Sequence, residues 1–450
     1  MAGGNWTSMN KILPGAYLNF KSVPRPLMQV GDRGIATIPI ELDWGATDRL
    51  IEVYSDELLS GDSLAKIGFT AFDEESKIVN VMLQYCYLVK LYRINGAGAK
   101  ATATIGEDND VLTITAKYPG IFGNNIIVSV VANGLLYDVS TFVNGAQKHT
   151  QTVATIAELE NNDYVDFSGT GNLVENAGIT LTGGTNGTTP TKATYYPTYL
   201  GLLETTSFQT MAAPDLVAED ATLKNNVVTF IRNQRNNEGR YVQGVLADYP
   251  TANFEGIISI KNGVIINGVN FTKQDMAAVY AAMTAGASIT ESNTNKTITG
   301  ATDLIGKYKN SEQIEAIKNG EVVFVANQLG EITVLEDINT LHTFTTEKSR
   351  AFSKNKVLRV LDEIGTTVKT TWERSYMGKL INNADNRDIF RSDLATYVSE
   401  LENIGAVQNF GGVDDIIVNA GNELDEVLTR VYVTPTDVME KLYVDCNVIG

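Results

Sequence analysis

Between residues 357 and 372 the apolar side chains Val357, Leu361, Ile364, Val368 and Trp372 recur three or four apart, which predicts one helix with a single buried face. A second helix follows, with Asp388 as its N-cap and a stripe of Ile389, Phe390, Leu394, Tyr397, Val398, Leu401 and Ile404. Gly405 is its C-cap, and Phe410-Gly411-Gly412 breaks the chain. The period then changes to two. In Thr429–Thr434, Val431 and Val433 alternate with Arg430 and Tyr432; after Pro435, Leu442, Val444, Cys446 and Val448 alternate with Tyr443, Asp445 and Asn447. A half-apolar strand at a chain end frays unless something pairs with it. It is either an edge strand folded back on its own sheet or a strand given to another subunit.

The same reading carries upstream. Residues 1–22 read as an arm, with a turn at Pro14-Gly15 and a short strand around Tyr17, Leu18 and Phe20. Gly34–Ile40 is strand-like, and Pro39 puts it at a sheet edge or at its own end. Residues 51–69 have room for a helix; 76–85 predict a helix and 86–93 a strand. From Lys100 to Thr189 the composition shifts to Thr, Gly, Asn and Val. Alternating runs at 111–116, 125–131 and 137–143 are separated by turn signals at Pro119-Gly120, Asn133-Gly134 and Asn144-Gly145, which predicts an antiparallel β-sandwich. An α/β pattern returns over 191–338, with helices at 195–203, 226–231 and 273–287 and a strand at 241–247. Two hairpins are expected, one joining 257–260 to 264–266 through Lys261-Asn262-Gly263 and one joining 321–325 to 331–335.

Length and charge narrow the picture. The chain has 450 residues, enough for two to four domains, and a formal net charge of −18. Such an acidic balance argues against a nucleic-acid partner, because binding phosphates needs a basic surface, and against an anionic membrane surface. Met1–Asn10 has no apolar core of the kind a signal peptide needs, and no run has the length of a membrane span, so a cytoplasmic origin is expected. Asn5-Trp6-Thr7 fits a glycosylation sequon of no weight without secretion. Cys86 and Cys446 both sit in apolar alternating contexts and read as buried thiols.

Candidate chemistry is sparse. The two histidines, His149 and His342, belong to no ligand-spaced pattern, and no Gly-x-Ser-x-Gly elbow exists. Gly300–Lys307 has one residue too many between its glycines for a phosphate loop, and Tyr308 stands where the loop needs Ser or Thr. The carboxylates of Glu74-Glu75, Asp414-Asp415 and Glu423, Asp425 and Glu426 lack calcium-loop spacing and read as solvated faces or intersubunit charge partners. Arg232, Arg235 and Arg240 read as an exposed helix end or as partners for a neighbour's acidic face. No cofactor and no metal is expected, and the chain reads as structural and not an enzyme.

An ordered set of phrases carries a resemblance. Asp337-Ile-Asn-Thr-Leu341, Lys356-Val-Leu-Arg-Val-Leu-Asp-Glu-Ile364, Tyr397-Val-Ser-Glu-Leu401, Gly405-Ala-Val and Val433-Thr-Pro-Thr-Asp-Val-Met-Glu-Lys-Leu-Tyr-Val444 match in order and spacing over most of residues 310–450. Together they resemble the contractile tail sheath proteins of phages and phage-tail-like particles. Leu13-Pro-Gly-Ala-Tyr17, Gly34-Ile-Ala with Asp43-Trp-Gly45, and Tyr118-Pro-Gly-Ile-Phe-Gly-Asn-Asn125 are similar to upstream segments of that family.

The resemblance implies an α/β and α+β multidomain chain: an α/β sheath core with an inserted antiparallel β-sandwich and extended terminal arms. The expected divisions are a linking arm (1–22), the first part of the core (23–95), the outer sandwich (96–190), a middle α/β domain (191–338), a tube-facing C-terminal domain (339–430) and a linking strand (431–450). It implies hexameric rings stacked around an inner tail tube, with baseplate and tail terminator proteins as further partners, no direct contact with nucleic acid and no membrane insertion. Contraction would proceed without nucleotide hydrolysis. Assembly would occur in a bacterial host's cytoplasm, and the product would be a virion tail or a released particle. Candidate intersubunit residues are Tyr17, Leu18 and Phe20 in the N-terminal arm, and Val431, Val433, Leu442, Val444, Cys446 and Val448 at the C-terminus. A hydrolase on the α/β core, or a surface-layer or adhesin protein built on the Thr-rich insert, are the alternatives.

Overall fold

The structure, a computed structural model, describes residues 33–449 together with Ala2–Gly4, Gly15–Tyr17, Met28 and Gly31. Leu18, Phe20 and the Asn5-Trp6-Thr7 sequon lie outside the described residues. The chain divides into two compact units, one of residues 32–366 with 435–450 and one built on 367–434.

The larger unit is organised by a seven-stranded sheet. Its strands, in chain order, are β1 Ile35–Ile40, β2 Ile51–Tyr54, β3 Leu88–Arg93, β4 Thr210–Ala212, β5 Gln243–Ala247, β6 Ile257–Ile260 and β7 Glu321–Val322. Across the sheet they run β7-β6-β5-β4-β1-β3-β2, all parallel except β2, which pairs antiparallel with β3. Parallel strands covered on both faces read as continuous apolar runs, because successive residues serve opposite cores. Leu91, Ala212 and Val245 enter one core; their neighbours Tyr92, Met211 and Leu246 enter the other. On the second face lie α1 Lys192–Glu204, through Tyr195, Tyr199 and Leu203, and α2 Ala221–Asn236, through Val227, Val228 and Ile231. On the first face lies α3 Lys273–Gly286, buried along most of its length and capped by Thr272, whose hydroxyl accepts from the Asp275 N–H.

Several expectations change here. Residues 51–69 hold a strand and two short helices, Ser55–Ser60 and Leu64–Ile67, instead of one helix. The predicted hairpin at 257–266 does not form: β6 stays in the parallel sheet, and Gly263–Ile266 joins a separate sheet with Val269–Phe271 and Ala301–Ile305. A three-residue hairpin loop of that kind needs a residue in left-handed backbone, and none of Lys261, Asn262 and Gly263 adopts it. The Asn262 amide instead is buried, donating to the Phe324 carbonyl and accepting from the Phe324 N–H, both at 2.9 Å. The 321–335 hairpin is narrower than expected, pairing Phe324–Ala326 with Ile332–Val334. Pro39 sits beyond the part of β1 that pairs with β4, so its missing N–H leaves no ladder bond broken.

Residues 102–180 form two antiparallel sheets, one of four strands and one of three. Ile114, Val128, Val130, Val139, Val143 and Val165 fill the space between them. Asn144 and Gly145 both have positive φ and close a hairpin between Leu136–Val143 and Ala146–Val153. Two of the phrases noted in the sequence meet at the root of this sandwich. Trp44, fully buried, donates its indole N–H to the Ala65 carbonyl at 2.9 Å and packs against Tyr118 and Phe122, with ring centroids 5.2 Å away in each case. The Arg93 guanidinium donates to the carbonyls of Gly45 (2.8 Å) and Pro119 (2.7 Å), tying the strand before the insert to the insert itself.

In the smaller unit, α5 Ala384–Asn403 is capped by Asn383, which accepts from the Asn386 N–H, and not by Asp388. Its buried side is Phe390, Leu394, Tyr397, Val398 and Leu401, whereas Ile389 and Ile404 are half exposed. Gly405 takes the expected left-handed backbone at φ +77°. The hairpin of β8 Ile416–Ala420 with β9 Val427–Val431 completes the unit. A π-turn over Trp372–Tyr376 stacks Trp372 on Tyr376, and both meet the Phe390 ring edge-on.

α4 Asn355–Thr371 departs from its predicted stripe. Leu361, Ile364 and Val368 are only half-buried, whereas Arg359, Asp362 and Glu363 are buried. The charged side of this helix faces the interior, and periodicity of apolar residues does not reveal that.

Candidate assembly surface

After Val431, which ends β9 opposite Ile416, Val433 lies half-buried outside any strand. The segment from Thr436 to Ile449 forms neither helix nor strand. The predicted alternating strand at 442–448 is therefore not formed in the single chain. It is not folded back on the chain's own sheets.

The root of this segment is fixed. The Lys356 ammonium donates to both the carbonyl and the hydroxyl of Thr436. Glu440 accepts from the Thr294 hydroxyl at 2.8 Å and from the Lys354 ammonium, which also pairs with Glu336. Burial pulls the Lys354 ammonium down, but its bonds to Glu336 and Glu440 outweigh this and hold its pKa above the ordinary lysine value. Thr294 in turn accepts from the Asp337 N–H at 2.9 Å. Asp337 is a fully buried hub that accepts from Tyr280 (2.7 Å), Asn355 (2.9 Å), Arg359 (3.0 Å) and the Asn293 N–H (3.0 Å). Burial acts to raise its pKa, but Arg359 and these donors hold it below the usual aspartate value. The segment is thus anchored, through Thr294, to the buried polar cluster around Asp337. Glu440 and Lys441 also border a groove of about 710 Å³ lined by Ile314, Ile317, Leu335 and Phe344.

Beyond Glu440 the support ends. Residues 441–449 are all exposed, with Leu442 at 87%, Val444 at 66% and Val448 at 95% exposure. A run of exposed apolar side chains at alternate positions is costly in water and is a candidate interaction surface. Cys446 is also exposed, which corrects its reading as a buried thiol; Cys86 is buried, and burial pushes its thiol up to about 12. The difference is one of context: Cys86 precedes a central strand, whereas Cys446 lies where the single chain offers nothing to pack against.

The other candidates fall elsewhere. Tyr17 ends Gly15–Tyr17, whose backbone pairs parallel with Ala2–Gly4. Val431 and Val433 belong to the smaller unit, and Leu442, Val444, Cys446 and Val448 follow the larger unit's Pro435. Sequence reasoning missed Lys354, Lys356 and Glu440, whose partners lie some 80 residues apart in the chain. Of the arginine run, Arg232 is exposed near the end of α2, as one reading had it, whereas Arg235 was misread. Arg235 is buried against Asp362 of its own chain, Arg240 donates to the carbonyls of Leu203 (3.0 Å), Glu204 and Thr206, and Arg232 lies over the Phe254 ring at 4.9 Å. Among the described residues no group of three or more His, Cys, Asp or Glu is placed to hold a metal ion, and no helix is long and apolar enough to cross a membrane.

Comparison with known proteins gives a consistent result. Three family profiles match in succession: the phage tail sheath protein beta-sandwich domain over residues 95–186, the central domain over 186–340 and the C-terminal domain over 347–449. The phage-like element PBSX protein XkdK and the uncharacterized protein YqbK, both of Bacillus subtilis, are 30% and 31% identical over the whole of both chains. The crystal structure of the sheath tail protein of Desulfitobacterium hafniense superposes with a TM-score of 0.79 at 37% identity, covering 96% of this chain and 99% of that one. That of Listeria innocua gives 0.81 at 32% identity, covering 93% and 95%. The contracted helical sheath of the anti-feeding prophage, at 10% identity and a TM-score of 0.57, covers 97% of this chain and 99% of that one and shares the fold. The ordered C-terminal phrases, the sandwich and the α/β core thus converge, and the chain belongs to the phage tail sheath family.

Proposed function

We propose that this chain is the repeating subunit of a contractile tail sheath, six copies to a ring, with rings stacked around an inner tube. Copies are joined by their chain ends: Tyr17, Leu18 and Phe20 in one arm, and Val431, Val433, Leu442, Val444, Cys446 and Val448 in the other. The single observation that carries the reading is the continuous exposed segment 441–449, with Leu442, Val444 and Val448 in it, outside any helix or strand. Donated strands give a lattice continuous main-chain hydrogen bonds, while the packed units between them stay free to change neighbours. In this reading the sandwich of residues 96–190 faces outward and residues 339–430 face the tube. The work of contraction comes from repacking. Each 100 Å² of apolar surface newly buried stabilises by about 2.5 kcal/mol before ordering costs are met. The extended state is then metastable and held by a kinetic barrier at the baseplate. Fold likeness to a sheath solved in the contracted state supports the reading.

The test is truncation. Chains lacking residues 1–20 or 436–450 are expected to fold as monomers and to form no tubes by electron microscopy. Normal sheaths from either truncation would defeat the proposal.

A further inference from the structure

Glu440 stands at a sharp boundary. On one side, Thr436 and Glu440 are held by Lys356, Lys354 and Thr294; on the other, residues 441–449 are exposed throughout. We propose that the Glu440 carboxylate, seated between Lys354 and Thr294, is a releasable pivot that fixes the root of the C-terminal arm to its own subunit and so sets the arm's reach. The proposal rests on the reading that residues 442–448 link one copy to another.

The geometry favours release as well as attachment. Lys354 is shared between Glu336 and Glu440. When Glu440 leaves, the ammonium keeps Glu336, so opening strands no unpaired buried cation, the event that makes breaking an ion pair expensive. Thr294 keeps its bond from the Asp337 N–H, so the core hub is undisturbed. The departing carboxylate goes to water. With the pivot closed, the free arm spans residues 441–449, about 30 Å when extended at roughly 3.3 Å per residue. With the pivot open, and Thr436 still held by Lys356, it starts at Asp437 and gains about 13 Å at the same rise. A linker of two lengths lets neighbouring copies stay joined while their separation changes.

Spin-label distances test this in the full-length chain. Met439 is fully exposed, and Asn226 is exposed on α2, so labels at Met439→Cys and Asn226→Cys in a Cys446→Ser background leave the core intact, and Cys86 is shielded. The wild-type pivot is expected to give one narrow distance distribution. Glu440→Ala is expected to broaden it at least two-fold, as is Lys354→Met, while Asp445→Asn, beyond the pivot, leaves it unchanged. A Glu440→Ala distribution as narrow as the wild type overturns the pivot. Failure of the linking reading shows separately: the 436–450 truncation would then still form tubes, whatever the label distances.

Discussion

Arg235 on α2 and Asp362 on α4 face each other in a buried two-pronged pair, Nη1 to Oδ2 at 2.9 Å and Nη2 to Oδ1 at 2.6 Å. Both side chains are nearly shut off from solvent, at 6% and 7% exposure. Removing one partner of such a pair leaves a bare charge in the interior, a cost of about 3–5 kcal/mol, whereas replacing both by apolar groups restores most of it. Arg235→Met alone is therefore expected to lose that much in denaturant unfolding, and Arg235→Met with Asp362→Leu to recover most of the loss. If the single change costs under about 1 kcal/mol, the pair is not doing what its geometry implies.

Gly120 has φ +142°, and a Cβ built there would lie 1.9 Å from the Asp43 carbonyl oxygen. Backbone meets backbone at this point, so neither can move aside cheaply. Gly120→Ala is expected to destabilise by at least about 1–3 kcal/mol through strain alone. Thermal unfolding would show it, and the loss should fall at the root of the sandwich, where Trp44 fluorescence reports.

The two cysteines are expected to differ in reactivity. A thiol reagent at neutral pH should modify one thiol per native chain, Cys446, and two in denaturant, because Cys86 is buried and its thiol is pushed up to about 12. Assembly should protect Cys446 if its segment is covered by another copy.

Asp337 gives a pH dependence. Its folded pKa is depressed below the unfolded value of about 3.9, so its contribution to stability is fully present above that value and is lost as pH falls through the folded pKa. The wild-type chain should thus lose stability on acidification below about pH 4. Asp337→Asn should be less stable at pH 7 and show a shallower acid limb. Equal slopes in the two proteins would remove Asp337 from the account.

Much of the fold was legible because its signals are local. The turn at Asn144-Gly145 and the helices around 226–231 and 273–287 follow from backbone preference and apolar spacing within a few residues. The same logic failed at Asn262-Gly263, where a distant partner, Phe324, decides the path of the chain. It failed again for Arg235, because nothing near residue 235 announces a carboxylate on α4. The terminal segment shows a third case. Its apolar alternation at Leu442, Val444 and Val448 was visible, yet no strand forms, since a strand needs a partner and the single chain supplies none. The short β4 strand Thr210–Ala212 went unseen because three residues carry too little pattern to register.

The account rests most directly on what Val444 touches in the assembled particle. A photo-cross-linking residue placed at Val444 and irradiated in assembled material should give adducts of twice the chain's mass, with the bond mapping to a different copy. Adducts that form only within one chain, in assembled and dispersed protein alike, would contradict it.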